Sequence, residues 1–143
     1  MWVSEPAQRR IEIGLRVPTD LDVVEEAVDL IARHCVASGV APRAARFQVR
    51  VALCEALANA IVYGNKLDPA KRVDISVRVD DTLVRVCVKD QGEGFDPTIV
   101  PDPTGPDRIE AVEGRGLFLI RQLADEVYHN DRGNSICMIM HRA

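Results

Sequence analysis

Two stretches of alternating residues between positions 72 and 89 constrain the fold more than any other feature of the sequence. Every second residue in them is branched and apolar: Val73, Ile75, Val77 and Val79, then Val84, Val86 and Val88. This period of two is that of a strand with one buried face, and Asp80 with Asp81 between the stretches favours a turn. We therefore predict an antiparallel hairpin over 72–89, whose second strand leads directly into KDQGEGFDP.

The other periodic segments predict three helices and three further strands. Residues 9–17 alternate as a strand, and apolar residues then recur at helical spacing from Leu21 to Cys35. Thr19 and Asp22 resemble a capping box at the start of this first helix. A third helix follows EGRG, and a turn at NDRGN joins a strand near Val127 to the last strand, SICMIM.

The second helix is predicted to begin at Pro42 and to end at Gly64. On a helical wheel one stripe is predicted to face the core: Phe47, Val51, Cys54, Ala58 and Ile61. Glu55 and Asn59 lie about a quarter turn from this stripe. On spacing alone they are typical of a solvated helix edge. The alternative is that both reach the rim of a pocket between helix and sheet, because the other flanking positions are apolar.

The order of elements is β-α-α-β-β-loop-α-β-β. It predicts an α+β fold in which helices cover one face of an open, mixed and mainly antiparallel sheet. Residues 95–113 contain four prolines and no sustained period, so a long loop is expected there. A chain of 143 residues has the size of one domain, which we assign to residues 1–143.

The composition argues against several classes of function. The net charge is −4 and the 18 Lys and Arg residues are scattered, so we expect no nucleic-acid partner. No apolar run suffices for a membrane helix, and the start, MWVSEPAQRR, lacks the order of a signal peptide, so we expect a cytoplasmic protein without a membrane partner. Four cysteines sit singly among apolar residues, which favours buried thiols over disulfides or a zinc site.

Two glycine-rich stretches accompany the polar pair of the second helix. In the first, Asp90 ends a strand and is followed by Gly92 and Gly94. Alternate glycines let backbone N–H groups approach a ligand, but they are also typical of an ordinary turn. The second stretch opens the third helix: Gly114, Arg115, Gly116 and Leu117. The free N–H groups of a helix start suit a phosphate.

Taken together, EALAN at 55–59, DQGEG at 90–94 and GRGL at 114–117 resemble the nucleotide-binding boxes of the Bergerat-fold ATPases and kinases. The resemblance covers nearly the whole chain and implies a two-layer α/β sandwich that binds ATP with Mg²⁺. By resemblance, Asn59 holds the metal ion, Asp90 accepts from the adenine amino group, and the segment between the second and third boxes is the ATP lid.

The same resemblance implies roles for the remaining residues. The pocket is shaped by Gly92 and Gly94, and the triphosphate lies over Gly114, Gly116 and Leu117. The Ser135 hydroxyl lies near adenine, where many members have Thr. For Arg115 two alternatives stay open: a positive charge near the γ-phosphate, or an ordinary solvated side chain.

Within the superfamily, the small size and the run EALANAIVYGN are most similar to the anti-sigma-factor serine kinases. That similarity implies that Glu55 is the general base for a substrate serine. It also implies a sigma factor and an anti-sigma-factor antagonist as partners, and a homodimer. Tyr63 is a departure, because close relatives often have His there. The alternative function is a regulatory module that binds ATP and sequesters a partner without transferring phosphate.

Overall fold

The computed structural model describes residues 2–4, 10–93 and 112–142, apart from the side chains of Ser4 and of residues 112–115. The strands are β1 (Trp2–Ser4), β2 (Ile11–Pro18), β3 (Arg72–Val79), β4 (Leu83–Lys89), β5 (Glu126–His129) and β6 (Ser135–His141). Helix α1 is Val24–Ala37, after a 3₁₀ turn at Leu21–Val23, and helix α3 is Val112–Leu123. Between them a continuous helical segment, which we call α2, occupies residues 42–64.

All six strands form one antiparallel sheet in the order β1-β2-β3-β4-β6-β5. The predicted hairpin is confirmed as β3 and β4, with Val79 opposite Val84. Asp80 organises its turn, because its Oδ1 accepts hydrogen bonds from the backbone N–H groups of Thr82 and Leu83. The second predicted hairpin is β5 and β6. Strand β1, which lies at the edge against β2, was not predicted.

The core lies between the helices and one face of the sheet, so the predicted two-layer α+β fold is confirmed. The valines and isoleucines of the central hairpin are buried against the helices, and the intervening positions, such as Ser76 and Arg85, lie on the exposed face. Helix α1 contributes a buried stripe at helical spacing: Val24, Ala27, Val28, Ile31, Ala32 and Cys35. No helix in the described ranges combines the length and the apolar character that crossing a bilayer requires.

The predicted core stripe of α2 is wrong except at Ile61, which is fully buried. Phe47 is 61% exposed and Cys54 is exposed, whereas the buried residues of Arg50–Asn59 are Ala52, Leu53, Ala56 and Leu57. Two π-helical stretches, Ala45–Val49 and Ala60–Gly64, flank this α-helical part. A π turn contains more residues than an α turn, so the angle between successive residues is smaller there. A helical wheel drawn with one constant angle therefore assigns residues to the wrong side of the helix across these stretches. The helix is also apolar on several sides, so tertiary packing determines which side is buried.

Two smaller predictions also fail. Asp20 caps the 3₁₀ turn by accepting from the N–H of Asp22, whereas Thr19 is buried and donates to the carbonyl of Lys71. The expectation of four buried thiols fails at three positions. Cys87 and Cys137 lie opposite each other on β4 and β6 and form a disulfide, and Cys54 is exposed; Cys35 is the buried thiol. The β4–β6 register sets that pairing across 50 residues, which cysteine spacing cannot show.

Candidate functional site

A cleft opens at the end of the sandwich where α2 ends, β4 ends and β6 begins. Its empty volume, which includes space open to solvent, is about 700 Å³. Apolar residues of the helices and the sheet form its floor, among them Ala56, Val88 and Ile120. The polar lining includes Asn59, Asp90 and Ser135, three residues predicted from the sequence to form one site. A cleft with an apolar floor and a few polar lining residues suits a ligand that has both an aromatic part and a polar part.

Glu55 and Asn59 meet the third helix at Gly116. A Cβ built on Gly116 would lie 2.8 Å from Asn59 Nδ2, closer than real Cβ contacts, and 3.1 Å from Glu55 Oε2, which is a tight contact. A side chain at residue 116 would displace the ends of the Asn59 and Glu55 side chains, so glycine at this position leaves them where they are. Both polar side chains are partly buried, and Asn59 lines the cleft. Of the two interpretations of this pair, the structure favours the pocket rim over a fully solvated edge. Leu117, next to Gly116, is buried and also lines the cleft.

Asp90 directly follows the last residue of β4 and also lines the cleft. Its Oδ1 accepts a hydrogen bond of 2.8 Å from the backbone N–H of Gly92. Burial raises the pKa of Asp90 above its ordinary value, and the hydrogen bond from Gly92 together with the charges of Lys71 and Arg132 opposes that shift. Asp90 thus offers a half-buried acceptor to a ligand that presents an N–H donor.

Ser135 is brought beside Asp90 by the turn between β5 and β6. The side-chain oxygen of Asn130 accepts from the N–H groups of Gly133, Asn134 and Ser135, which fixes the turn. The N–H of Asp90 in turn donates to the carbonyl of Asn134 at 2.9 Å. The first residue of β6 therefore enters the cleft next to the last residues of β4.

The start of the third helix differs from the prediction. It begins at Val112, so Gly114 and Arg115 lie in its first turn and Gly116 lies further inside. Glycine costs a helix only about 1 kcal/mol relative to alanine, so two glycines do not prevent an earlier start. The free N–H groups of the first turn consequently include those of Gly114 and Arg115. The side chain of Arg115, Gly94 and residues 95–111 of the predicted lid lie outside the described residues. Residues 112 and 113, which were predicted to belong to the same loop, are helical instead.

Three residues of the site carried no assigned role from the sequence: Tyr63, Asn65 and His129. Tyr63 and His129 line the cleft. Burial and the positive charge of Arg121 lower the pKa of His129, so this imidazole is neutral at pH 7. Asn65 is fully buried behind Asp90. Asn65 is the last residue of the run EALANAIVYGN, but nothing in the spacing of that run distinguishes it from an ordinary residue at a helix end.

The residues around Gly116 suit a hard cation held together with phosphates. Among residues 2–4, 10–93 and 112–142 there is no group of three or more His, Cys, Asp or Glu residues that would hold a metal ion alone. The amide oxygen of Asn59 and the neighbouring Glu55 carboxylate are oxygen donors. Mg²⁺ is commonly bound through one or two such protein oxygens plus substrate phosphates and water, so this donor set fits it.

Comparisons with known proteins identify relatives of this chain. Serine-protein kinase RsbW of Oceanobacillus iheyensis is 28% identical over 97 residues, which are 64% of this chain and 61% of that protein. The protein of the same name from Staphylococcus epidermidis is 31% identical over 98 residues, 63% and 62% of the two chains. Anti-sigma F factor of Geobacillus stearothermophilus is 33% identical over 84 residues, 56% of each chain.

The aligned part thus spans 56% to 62% of the length of these relatives. A family description, histidine kinase-like ATPase domain, matches residues 17–140. That match extends from the end of β2 to the end of β6 and includes every element that borders the cleft. The chain belongs to the histidine kinase-like ATPase domain family.

Proposed function

We propose that this chain is an ATP- and Mg²⁺-dependent serine kinase that binds a sigma factor and phosphorylates an anti-sigma-factor antagonist. The observation that carries the proposal is the convergence of Glu55 and Asn59 on Gly116, together with the lining of one cleft by both Asn59 and Asp90. The names of the relatives, a serine-protein kinase and an anti-sigma factor, support the choice of substrate and partner.

In this proposal the nucleotide lies along the cleft from Asp90 to Gly116. The Asp90 carboxylate accepts a hydrogen bond from the adenine amino group, and the Ser135 hydroxyl lies beside the base. Gly92 and Gly94 leave room for the ring, and Gly114, Gly116 and Leu117 lie under the phosphates. The helix start at Val112 supports the last assignment, because N–H groups of a first turn attract phosphate.

Asn59 would hold the magnesium ion through its amide oxygen. When bound, Mg²⁺ supplies positive charge that offsets the charge of the phosphates. Glu55 accepts the proton of the substrate serine as the serine oxygen forms a bond to the γ-phosphorus. The bond from the γ-phosphorus to the bridging oxygen breaks, and ADP leaves with that electron pair. Arg115 adds positive charge near the transferred group.

The test is phosphate transfer from γ-labelled ATP, with Mg²⁺, to each anti-sigma-factor antagonist encoded in the same genome. We expect one of these proteins to be labelled on serine and Glu55→Gln to abolish labelling while ATP binding is retained. The matched control is Glu26→Gln, an exposed residue of α1 outside the cleft, which should label normally.

Two outcomes would contradict the proposal in different ways. ATP binding without transfer to any antagonist would favour the alternative, a regulatory module that sequesters its partner. Full transfer by the Glu55→Gln variant would show that another group accepts the serine proton.

A further inference from the structure

Asn65 is a fully buried asparagine at the end of helix α2, and its side chain joins three segments of the chain. Its Nδ2 donates to the hydroxyl of Thr19 at 2.9 Å and to the carbonyl of Arg72 at 3.0 Å. Its Oδ1 accepts from the backbone N–H of Gln91 at 2.8 Å. An asparagine amide has two donor hydrogens and one acceptor oxygen, so all of these bonds match its capacity.

The bond to Gln91 fixes the backbone directly after Asp90. Gln91 is itself tied down, because its Oε1 accepts from the N–H of Arg72 at 2.6 Å. The next N–H, that of Gly92, donates to the Asp90 carboxylate. One peptide group is thus held by Asn65 and the following one orients Asp90. A shift of the Gln91 peptide would therefore move the carboxylate that faces the cleft.

The backbone beyond Asn65 adopts an uncommon conformation. Lys66 and Leu67 have φ values of 53° and 59°, in the left-handed region that non-glycine residues rarely enter. Such residues persist where the surrounding structure holds them. Here the N–H of Leu67 donates to the carbonyl of Ile61, and the N–H of Asp68 donates to the carbonyl of Asn65. The turn follows the end of the helix at Gly64 and leaves the Asn65 side chain inside the protein.

We infer that Asn65 is a positioning residue that holds the Asp90 carboxylate in place for recognition of the adenine amino group, without contacting the nucleotide. The inference rests on the proposed function, because it assigns the base to Asp90. It explains why a buried polar side chain is kept at the end of this helix. Asn65 should consequently affect the affinity and base selectivity for ATP more than the rate of phosphate transfer.

The test compares Asn65→Ala with Thr19→Val. The first removes the acceptor for the Gln91 N–H, and the second removes a hydroxyl from the far side of Asn65 and leaves the Gln91 bond intact. We expect Asn65→Ala to weaken Mg·ATP binding at least about tenfold, the scale of a lost buried hydrogen bond, while Mg·GTP binding changes less. Thr19→Val should remain within about threefold of the unmodified protein for ATP. Calorimetric titration gives the affinities, and thermal melting monitors folding.

Steady-state kinetics separates positioning from chemistry. We expect the KM for ATP to rise in Asn65→Ala and kcat at saturating ATP to be kept. If Asn65→Ala does not fold, Gln91→Pro removes the donor of the same hydrogen bond at an exposed residue, with Gln91→Ala as its control. Gln91→Pro is then expected to weaken ATP binding at least about tenfold relative to Gln91→Ala.

The inference is overturned if Asn65→Ala binds ATP like the unmodified protein, or if Thr19→Val weakens binding equally. Equal ATP binding by Gln91→Pro and Gln91→Ala would overturn it as well. Absence of ATP binding by the unmodified protein is a different result, which contradicts the proposed function itself.

Discussion

The Asp90 carboxylate packs directly against the α-carbon of Gly64: a Cβ built on Gly64 would lie 2.3 Å from Asp90 Oδ2. The carbonyl oxygen of Gly64 in turn lies 2.0 Å from where a Cβ of Gly92 would be. These three residues interlock because two of them lack side chains. The end of the helix that carries Asn59 is therefore also the surface against which Asp90 is seated.

Gly64→Ala should weaken ATP binding by at least about tenfold, because the added methyl group displaces the Asp90 carboxylate. The matched control is Gly39→Ala, at a glycine with φ of +93° that is not part of the cleft. That substitution should lower the free energy of unfolding by about 1–2 kcal/mol and leave ATP affinity unchanged. Titration calorimetry and urea denaturation measure the two quantities. Normal ATP binding by Gly64→Ala would contradict the interlocked arrangement.

Gly116→Ala should separate stability from phosphate binding. Alanine favours a helix by about 1 kcal/mol over glycine, so the free energy of unfolding should be maintained or rise. Its methyl group would displace Asn59 and Glu55, so Mg·ATP affinity should fall at least about tenfold while adenosine affinity changes little. Gln122→Ala, at an exposed position of the same helix, is the control. If the affinities for adenosine and for Mg·ATP fell equally, the substitution would be acting on adenine binding and not on phosphate binding.

ATP affinity should depend on pH through Asp90. Burial raises the pKa of this carboxyl, so it becomes protonated at a higher pH than an ordinary aspartate and then offers adenine only a neutral, weaker acceptor. Affinity should therefore fall as the pH decreases through this raised pKa. Asp90→Asn, which cannot titrate, should lack that component between neutral pH and about pH 4. Titrations of both proteins with adenosine, which has no phosphates to titrate, provide the measurement.

The sign for folding is opposite. A raised pKa means that the folded state binds this proton more readily than the unfolded state, so protonation of Asp90 favours folding. The contribution is fully present below the unfolded pKa and is lost as the pH rises through the folded one. Asp90→Asn should thus be the more stable protein at neutral pH, and its advantage should shrink in acid. A constant difference in the free energy of unfolding across pH would contradict this expectation.

Reduction should destabilise the protein. The disulfide between Cys87 and Cys137 closes a loop of 50 residues and joins two adjacent strands. Its loss should lower the free energy of unfolding by about 2–4 kcal/mol. Urea denaturation with and without dithiothreitol measures the difference, and Cys87→Ser should be insensitive to the reductant. Four titratable thiols in the folded, unreduced protein would contradict the pairing.

Features that depend on neighbouring residues were predicted well. The hairpin of β3 and β4 follows from valines at alternate positions and from the Asp80 turn, both of which are local. The Gly133 turn before Ser135 is of the same kind, and its φ of 79° explains why glycine is there. The three motifs likewise indicated one cleft, and the structure places Asn59 and Asp90 on its walls.

Features fixed by tertiary contacts were missed. The helical wheel places Cys54 in the core because α2 is apolar on several sides. Only the packing of α2 against α1, α3 and the sheet selects Leu53 and Leu57 instead. The partner of Cys87 depends on the β4–β6 register. Asn65 depends on three segments that are separated along the chain, so no spacing rule reveals it.

In helix α2 the same ten residues, Arg50–Asn59, contribute side chains to the core on one side and to the candidate site on the adjoining side. Leu53 and Leu57 are fully buried, while Glu55 and Asn59 meet Gly116 one side away. Few substitutions in this segment should therefore be tolerated, because a change on one side alters folding and a change on the other alters ligand binding. Cys54, which points to solvent, is the position where a library of variants should retain the widest range of amino acids.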